Sequence, residues 1–549
     1  MKRWLKITLG GAAVLAITGI AAKDYVLLHL PGWLAPRVHP FREIAWQPGP
    51  ARAPQPADWG PPNIVLIVAD DLGFNDISFN GGGVANGLLK TPNIDALGAE
   101  GATFANGYAG NATCAPSRAA LMTGRYPTRF GFEFTPTDTR FAQTVSGFST
   151  DWQYKTILDQ HAVDADPPSD SKGVPASERT IAELLRTGGY HTMHLGKWHL
   201  GGSPGMRPED QGFDESLGFI IGGQMFLPEN DANVVNAKQD FDPIDKYIWA
   251  NLPFSVQYNG GERFHPDRYM TDYLTHQAVR AIDANRNRPF FLYLAYNAPH
   301  TPLQALKSDY DALAAITDHR TRTYAAMIRA LDRGVGQVMA ALKARGLDEN
   351  TLVIFTSDNG GAHYIGLPDI NQPYRGWKAS FFEGGIKVPF FLRWPAKIAP
   401  ATRVAGTVSH FDIFATAAGA AGIAVPGDRP IDGIDLSPIV VAQGASVPQR
   451  PLFWRSGAYR VVRDGDAKLQ MLDIPRQSLL YDMNEDPTEQ RDLSAVRPDE
   501  VRRLAALIAQ HDAAQAKPAW PSLIRSPIAI DRPLGTKPRA GETYAYWSN

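Results

Sequence analysis

Short, continuous runs of β-branched and aromatic residues punctuate the chain. NIVLIV (63–68), HTMHL (191–195), PFFLYLAY (289–296), TLVIFT (351–356) and VPFFLRW (388–394) lack the apolar–polar alternation of a strand with one wet face. They predict strands buried on both sides. Between them lie segments with helical spacing: TPNIDALGAEG (91–101), SERTIAELLRTGG (177–189) with Gly188 as its C-cap, DRYMTDYLTHQAVRAIDAN (267–285) and RTYAAMIRALDRGVGQVMAALKARG (322–346). Strands and helices alternating on this scale predict an α/β fold around a largely parallel sheet.

The residues at the carboxyl end of each strand are more informative than the strand itself. NIVLIV runs into Asp70 and Asp71, HTMHL into Lys197 and His199, PFFLYLAY into His300, and TLVIFT into Asp358 and Asn359. Ligands of open α/β sheets bind outside the carboxyl ends of the strands, so four strands would deliver these groups to one rim. Taken singly, each has a plain reading: Asp-Asp as a turn or helix cap, Asp-Asn-Gly as a turn, Lys197 and His199 as solvated, His300 as a loop residue. Taken together, Asp70, Asp71, Asp358 and Asn359 form an oxygen-only donor set, which suits Ca²⁺ or Mg²⁺ rather than zinc. No Cys/His zinc spacing is present.

Composition narrows the class. A balance of 54 basic against 56 acidic residues argues against a nucleic-acid binder or a strongly cationic membrane binder, so any anion site must be local. At 549 residues the chain is too long for one ordinary core, and we expect one large domain with a smaller appendage. Residues 1–24 combine a basic start (Lys2, Arg3, Lys6), an apolar run and small residues near Ala22. They read as an export signal, which makes the periplasm the expected location, or as an uncleaved membrane anchor, since YVLLHLPGWL prolongs the apolar character. Residues 25–62 are proline-rich and aperiodic, as in an extended arm or linker, and the folded domain is expected to start after them.

The chain has a single cysteine, Cys114, within NATCAPSRAALMTGR (111–125). One thiol cannot form an internal disulfide, so its retention in an exported chain calls for explanation. Pro116 suits a first helical turn and Ser117 to Thr123 a short helix, which puts Cys114 at or just before a helix N-terminus, an anion-binding position. Arg118 adds a permanent cation there. A thiol in that position points to a functional role, whereas the plain alternative is a small buried hydrophobe.

CAPSRAALMTGR resembles the signature of the type I sulfatases at every specified position: Cys, any residue, Pro-Ser-Arg, two residues, Leu, any residue, Thr-Gly-Arg. The resemblance runs from Asn63 to about Leu493, through ADDLG, GKWHLG, APHTPL, SDNGG, GWKASFFEGGIKVP and LYDMNEDPTEQRDLS. RFGFEFTP (129–136) and APHTPLQ are similar to the arylsulfatase B and N-acetylgalactosamine sulfatase branch. The family implies an alkaline-phosphatase-like fold: a large mixed, mostly parallel sheet flanked by helices over 63–445, then a smaller α+β subdomain with an extended tail over 446–549.

The same resemblance implies chemistry. Cys114 corresponds to the residue oxidised to formylglycine (3-oxoalanine) by a formylglycine-generating enzyme. Asp70, Asp71, Asp358 and Asn359, with the modified Cys114, correspond to the calcium site. Arg118, Lys197, His199, His300 and Lys378 correspond to groups around the aldehyde and the sulfate, with Arg118, Lys197, His300 and Lys378 touching substrate. The hydrated aldehyde would attack sulfur as Asp358 accepts or orients its proton, forming a sulfated enzyme; His300, with or without Lys378, would protonate the leaving alkoxide, and His199 would take the second hydroxyl's proton to expel sulfate. Lys387 stands where many members carry arginine, outside these roles. A phosphonate or phosphate ester hydrolase of the same superfamily is the alternative, and a binding protein with a decayed site a more distant one. The segments 130–174 and 226–264 are long and aromatic-containing, and are expected to wall the pocket. Asn111-Ala-Thr matches a glycosylation sequon, read as chance beside the nucleophile.

Overall fold

The computed structural model describes residues 25–549 apart from 27, 52–59, 148–153 and 443. The predicted signal or anchor, residues 1–24, lies outside the described residues. The core is a nine-stranded sheet built from β1 (Asn63–Ala69), β2 (Ala102–Tyr108), β3 (His191–Lys197), β4 (Glu215–Phe219), β5 (Gln257–Tyr258), β6 (Phe290–Ala295), β7 (Thr351–Ser357), β8 (Phe390–Arg393) and β9 (Thr402–Ser409). Their order is β9-β2-β8-β7-β1-β6-β3-β4-β5. The block β7-β1-β6-β3-β4 is parallel throughout, whereas β8 is antiparallel to both neighbours and β5 to β4. Since β2 is antiparallel to β8, it points the same way as β1, and so does its parallel partner β9.

β1 explains why its sequence has no polar alternation: all seven residues are buried. With a side-chain period of two, Val65, Ile67 and Ala69 enter one hydrophobic cluster and Ile64, Leu66 and Val68 the other. The first cluster includes residues of α1 (Pro92–Ala99), α4 (Met270–Asn285) and α5 (His319–Ala344); the second includes residues of α2 (Cys114–Thr123), α3 (Ile181–Thr187) and α6 (Phe411–Ala420). Helices therefore cover both faces. α3 starts with a capping box, in which Thr180 accepts the Glu183 N–H at 3.1 Å and Glu183 accepts the Thr180 N–H at 2.7 Å. Gly188 is its C-cap, but the left-handed turn falls on Gly189 (φ +83°). α5 begins three residues before the periodic run, at His319, because Asp318 accepts the Thr321 N–H at 2.8 Å.

Part of the proline-rich segment contributes to the core. Ile44 and Trp46 are buried in the first cluster, the Trp46 indole donates to Gln277 Oε1 at 3.1 Å, and the Gln47 N–H donates to Glu215 Oε1 at 2.9 Å. The folded body thus begins before Asn63, because two large apolar side chains among the prolines cover the outside of α4.

Beyond the main sheet, Leu452–Ser456, Tyr459–Asp464, Ala467–Asp473 and Arg476–Asp482 form an antiparallel meander with α7 (Pro498–Ala513) packed on it. The last strands, Ile524–Ala529 and Tyr544–Ser548, pair with each other and with Ile157–Leu158. The meander is locked to the main body by charge. Lys468 lies 2.8 Å from Glu383 and 2.9 Å from Glu489, all three fully buried, and Glu489 accepts the Glu383 N–H at 2.6 Å. Burial pushes the Glu383 carboxyl up, but Lys468, Lys387 and Arg463 outweigh it and hold the pKa at about 2. Because this folded value lies below the unfolded one, Glu383 stabilises the protein above about pH 4.3, a contribution lost as pH falls towards 2; burial pushes the neighbouring Glu489 carboxyl up, in the opposite sense. Lys468→Met leaves two carboxylates buried without their cation and should cost about 3–5 kcal/mol in urea unfolding at pH 7. A cost below about 1 kcal/mol would mean that the pair is not charged in the fold.

Candidate active site

The parallel strands end on one rim, and the predicted side chains converge there. Asp70 and Asp71 follow β1, Asp358 and Asn359 follow β7, Lys197 closes β3 with His199 two residues on, and His300 lies in the loop after β6. Cys114 is the first residue of α2, reached from the end of β2 through Asn111 and Thr113. Lys378 arrives from the loop leading into β8. Asp70, Asp358, Asn359, Arg118 and Lys197 have no exposed surface, and Cys114 is 4% exposed.

The contacts tie these groups into one network. Cys114 Sγ lies 3.7 Å from Asp70 Oδ1 and 3.9 Å from Asp71 Oδ1. One turn along α2, Arg118 reaches Asp358 Oδ2 through Nε at 2.9 Å and a terminal nitrogen at 2.7 Å, with Asp70 at 3.8 Å. The Lys197 ammonium donates to both oxygens of Asp70, at 3.0 and 2.8 Å. Lys378 takes Asp71 at 2.8 and 2.9 Å, and Asn359 Nδ2 donates to Asp71 Oδ1 at 2.7 Å. Asp358 Oδ1 accepts the Asp71 N–H at 3.2 Å. His300 Nε2 is 3.7 Å from Asp71 Oδ2, while its Nδ1 is 2.6 Å from the Thr301 carbonyl. A carbonyl only accepts, so Nδ1 carries the proton and Nε2 faces the acids.

Burial and charge set the protonation states. Burial raises the Asp71 carboxyl, but Lys378, His300 and Lys197 override it and hold the group well below the usual carboxylate range. Asp70 is pushed well up, by burial first and then by the neighbouring Asp358. His199 is held far below its usual value by burial and by Lys197, Arg118 and Lys378, so its ring is neutral and able to accept a proton. Two of these residues have left-handed backbones, Asp71 (φ +62°) and His199 (φ +61°). Non-glycine residues are held there only when their surroundings over-determine them. For His199 the surroundings include Gly222, where an added Cβ would stand 2.9 Å from its ring.

The donor set fits a hard cation. Asp70, Asp71, Cys114 and His300 each place one ligand-type atom within 4.8 Å of all the others. Asn359 Oδ1 is buried with no hydrogen-bond partner, an orphaned acceptor beside Asp71. Asp358 meets Asp71 through its backbone N–H. The four-residue cluster holds two carboxylates, one sulfur and one imidazole nitrogen; it includes His300, which was not expected among the ligands, and does not include Asp358, which was.

Two tyrosines complete the network and were not legible as site residues. Tyr364 donates to Asp71 Oδ2 at 3.1 Å and accepts from Lys378 at 3.0 Å; Tyr293 accepts from Arg118 at 3.2 Å. Tyr364 sits in AHYIG, five residues past Asn359, and Tyr293 is one aromatic among several in β6. Lys387 remains structural: it lies 4.6 Å from the Tyr374 ring centre and 3.8 Å from Glu383. Asn111 is 2% exposed, so its sequon is sterically closed to glycosylation.

The network opens into a cleft of about 920 Å³. Arg140 and Phe141 of the 130–174 segment and Tyr247 and Arg263 of the 226–264 segment line it, as predicted. The tail also lines it, through Trp547 and Asn549, and the Asn549 amide donates to Thr137 Oγ1 at 2.8 Å.

Acids, fixed cations and a buried thiol at the carboxyl rim of a mixed α/β sheet fit a hydrolase with an alkaline-phosphatase-like fold. The chain belongs to the sulfatase family, whose sequence pattern, described as Sulfatase, matches residues 62–423. Mouse N-acetylgalactosamine-6-sulfatase is 34% identical over 426 residues, covering 74% of this chain and 70% of the mouse protein. Among solved structures, Ps i-CgsB in complex with k-i-k-neocarrahexaose is 33% identical with a TM-score of 0.69, over 84% of this chain and 94% of that one. The phosphonate monoester hydrolase of Agrobacterium radiobacter, 21% identical with a TM-score of 0.55 over 82% of this chain and 96% of that one, shares the fold. The protein is a sulfuric ester hydrolase.

Proposed function

We propose that this sulfatase removes sulfate from a sulfated sugar, with aryl sulfates as surrogates, using formylglycine made from Cys114 by a formylglycine-generating enzyme. We further propose that Asp70, Asp71, Asp358 and Asn359, with the modified residue 114, hold calcium; magnesium, which demands near-ideal octahedral geometry and keeps several waters, suits the site less well. The observation that carries the reading is the thiol: the chain's only cysteine opens α2, buried beside two carboxylates, inside a complete maturation signature. The names of the mouse relative and of the Ps i-CgsB complex support a glycan substrate. The catalytic domain is assigned to 63–445 and the C-terminal subdomain and tail to 446–549. Export to the periplasm, or anchoring through residues 1–24, rests on the basic and apolar pattern of that segment.

When formed, the hydrated aldehyde at residue 114 would supply one hydroxyl as nucleophile and a second to expel sulfate, and the cation, which Asp70, Asp71, Asp358 and Asn359 would hold, would supply positive charge. The chain's own groups do the rest. Asp358, oriented by two contacts from Arg118, accepts the proton of the attacking hydroxyl. Arg118, Lys197 and Lys378 hold fixed positive charge where negative charge redistributes, with no reorganisation needed at the moment of reaction. His300, its Nδ1–H engaged by the Thr301 carbonyl, protonates the leaving oxygen from Nε2 in its imidazolium form, which Asp70 and Asp71 favour against burial. His199, kept neutral, accepts the second proton.

Initial rates on a panel of sugar sulfates, aryl sulfates, phosphate monoesters and phosphonates test the reading, with sulfate esters expected to dominate. Preferential phosphoester or phosphonate turnover would overturn it. On the same panel, His300→Ala should slow esters of poor leaving groups by roughly 10²–10⁴-fold while sparing 4-nitrophenyl sulfate, whose alcohol hardly needs a proton. Equal losses across the series would remove His300 from this role.

A further inference from the structure

The cleft extends past the reacting groups, and its lining includes a cation with no acidic partner among the described residues. Arg263 lines the cleft and is half-buried. Its backbone is fixed: its carbonyl accepts the His39 N–H at 2.8 Å, and the adjacent Phe264 exchanges hydrogen bonds with Val256 at 2.9 and 3.0 Å. Among the described residues, no carboxylate lies within ion-pair distance of its guanidinium, and no side chain or carbonyl accepts a hydrogen bond from it. The guanidinia of Arg118, Arg450 and Arg455, also partly or fully buried, all rest on acids. Burial lowers the pKa of Arg263, and no acidic neighbour restores it. A charge withdrawn from water without a partner is costly, and a bound anion removes that cost.

A second guanidinium, that of Arg207, lines the same cleft, its Nε donating to the Gly202 carbonyl at 2.8 Å, and it too has no acid partner among the described residues. Gly260, three residues before Arg263, stands beside it: a Cβ there would be 3.9 Å from Arg207 Nη1 and 4.0 Å from Glu209 Oε2. Arg263, Arg207 and Glu209 all line the cleft.

We propose that Arg263, assisted by Arg207, forms a second anion subsite that receives another negatively charged group of the substrate, a sulfate ester or a uronate carboxylate. This inference rests on the glycan sulfatase reading and deepens it: the preferred substrate is a polyanionic glycan rather than a monosulfated molecule. A planar guanidinium meets either oxyanion with two parallel hydrogen bonds, which an ammonium cannot do.

Competition against 4-nitrophenyl sulfate turnover by the matured, metal-loaded enzyme tests the subsite. The competitors are three disaccharides: one with a single sulfate, one with two sulfates, and one with a single sulfate and a uronate. For the wild type, the second anion should lower Ki roughly 10- to 100-fold, the scale of a charge-assisted hydrogen-bonded pair, and the two dianionic arms separate sulfate from carboxylate as its source. In Arg263→Gln that advantage should fall below about threefold, and Arg263→Lys should keep only part of it, as expected where bidentate geometry matters. No advantage in the wild type, or an equal advantage in wild type and Arg263→Gln, would overturn the subsite. Absence of wild-type turnover of 4-nitrophenyl sulfate and of all three disaccharides would instead overturn the glycan sulfatase reading on which it rests.

Discussion

Cys114→Ser should fold, bind its cation and fail to turn over. Sγ and Oγ differ little in size, and residue 114 packs at the start of α2 without a hydrogen bond that requires sulfur. Loss of stability should therefore stay within about 1 kcal/mol, the range of a volume-conserving change. Activity should fall by on the order of 10⁶-fold, the scale of deleting a hydrolase nucleophile. A maturation enzyme specific for cysteine leaves serine unmodified, and a serine that accepts sulfate has no second hydroxyl with which to expel it. At best, one equivalent of alcohol is released per chain, with sulfate retained on the protein. In the wild type, the peptide containing residue 114 should react with hydrazides when the protein comes from a host with a formylglycine-generating enzyme, and should carry a thiol otherwise. Mass spectrometry of that peptide, beside steady-state rates, checks both statements. Full activity from protein carrying unmodified serine would overturn the mechanism and favour direct attack by water.

The site is legible in the sequence where charge interrupts a buried strand. β1, β3, β6 and β7 are buried along their whole lengths, so the first charged residues at or beyond their carboxyl ends mark the rim, and Asp70, Lys197, His300 and Asp358 stand out that way. β2 and β9 carry no such signal. β2 mixes buried and exposed positions and contains Asn106 and Gly107, and β9 is similarly half-open, as befits strands near a sheet edge. The direction of VPFFLRW is also beyond reach, since an apolar run reads alike in parallel and antiparallel strands. Tyr293 and Tyr364 escape notice because a tyrosine in an aromatic segment reads as core until its hydroxyl partner is known. The unpaired state of Arg263 is likewise a property of its neighbours in space, which its sequence neighbours do not reveal.

Asp358 separates the proton-transfer and metal-binding roles from the structural one. Its carboxylate answers Arg118 through one oxygen and the Asp71 N–H through the other, with the Asp358 and Arg118 side chains wholly buried. Asp358→Ala should therefore be unstable, by about 3–5 kcal/mol, because it leaves the buried Arg118 guanidinium with neutral partners, the Lys197 carbonyl and the Tyr293 hydroxyl, and with Asp70 at 3.8 Å as its nearest acid. Asp358→Asn keeps the shape and a carbonyl oxygen for one of these partners, so it should fold with a smaller loss. It nonetheless lacks the charge that attracts a cation and the basicity that accepts a proton, and its rate should fall by roughly 10²–10⁴-fold. Elemental analysis should find about one calcium per wild-type chain, as a single oxygen-rich cluster implies, and clearly less in Asp358→Asn after dialysis against a weak chelator. A wild type carrying stoichiometric zinc with no alkaline-earth ion would contradict the oxygen-donor assignment. An Asp358→Asn protein that keeps both its calcium and its rate would show that Asp358 serves only to hold Arg118 in place.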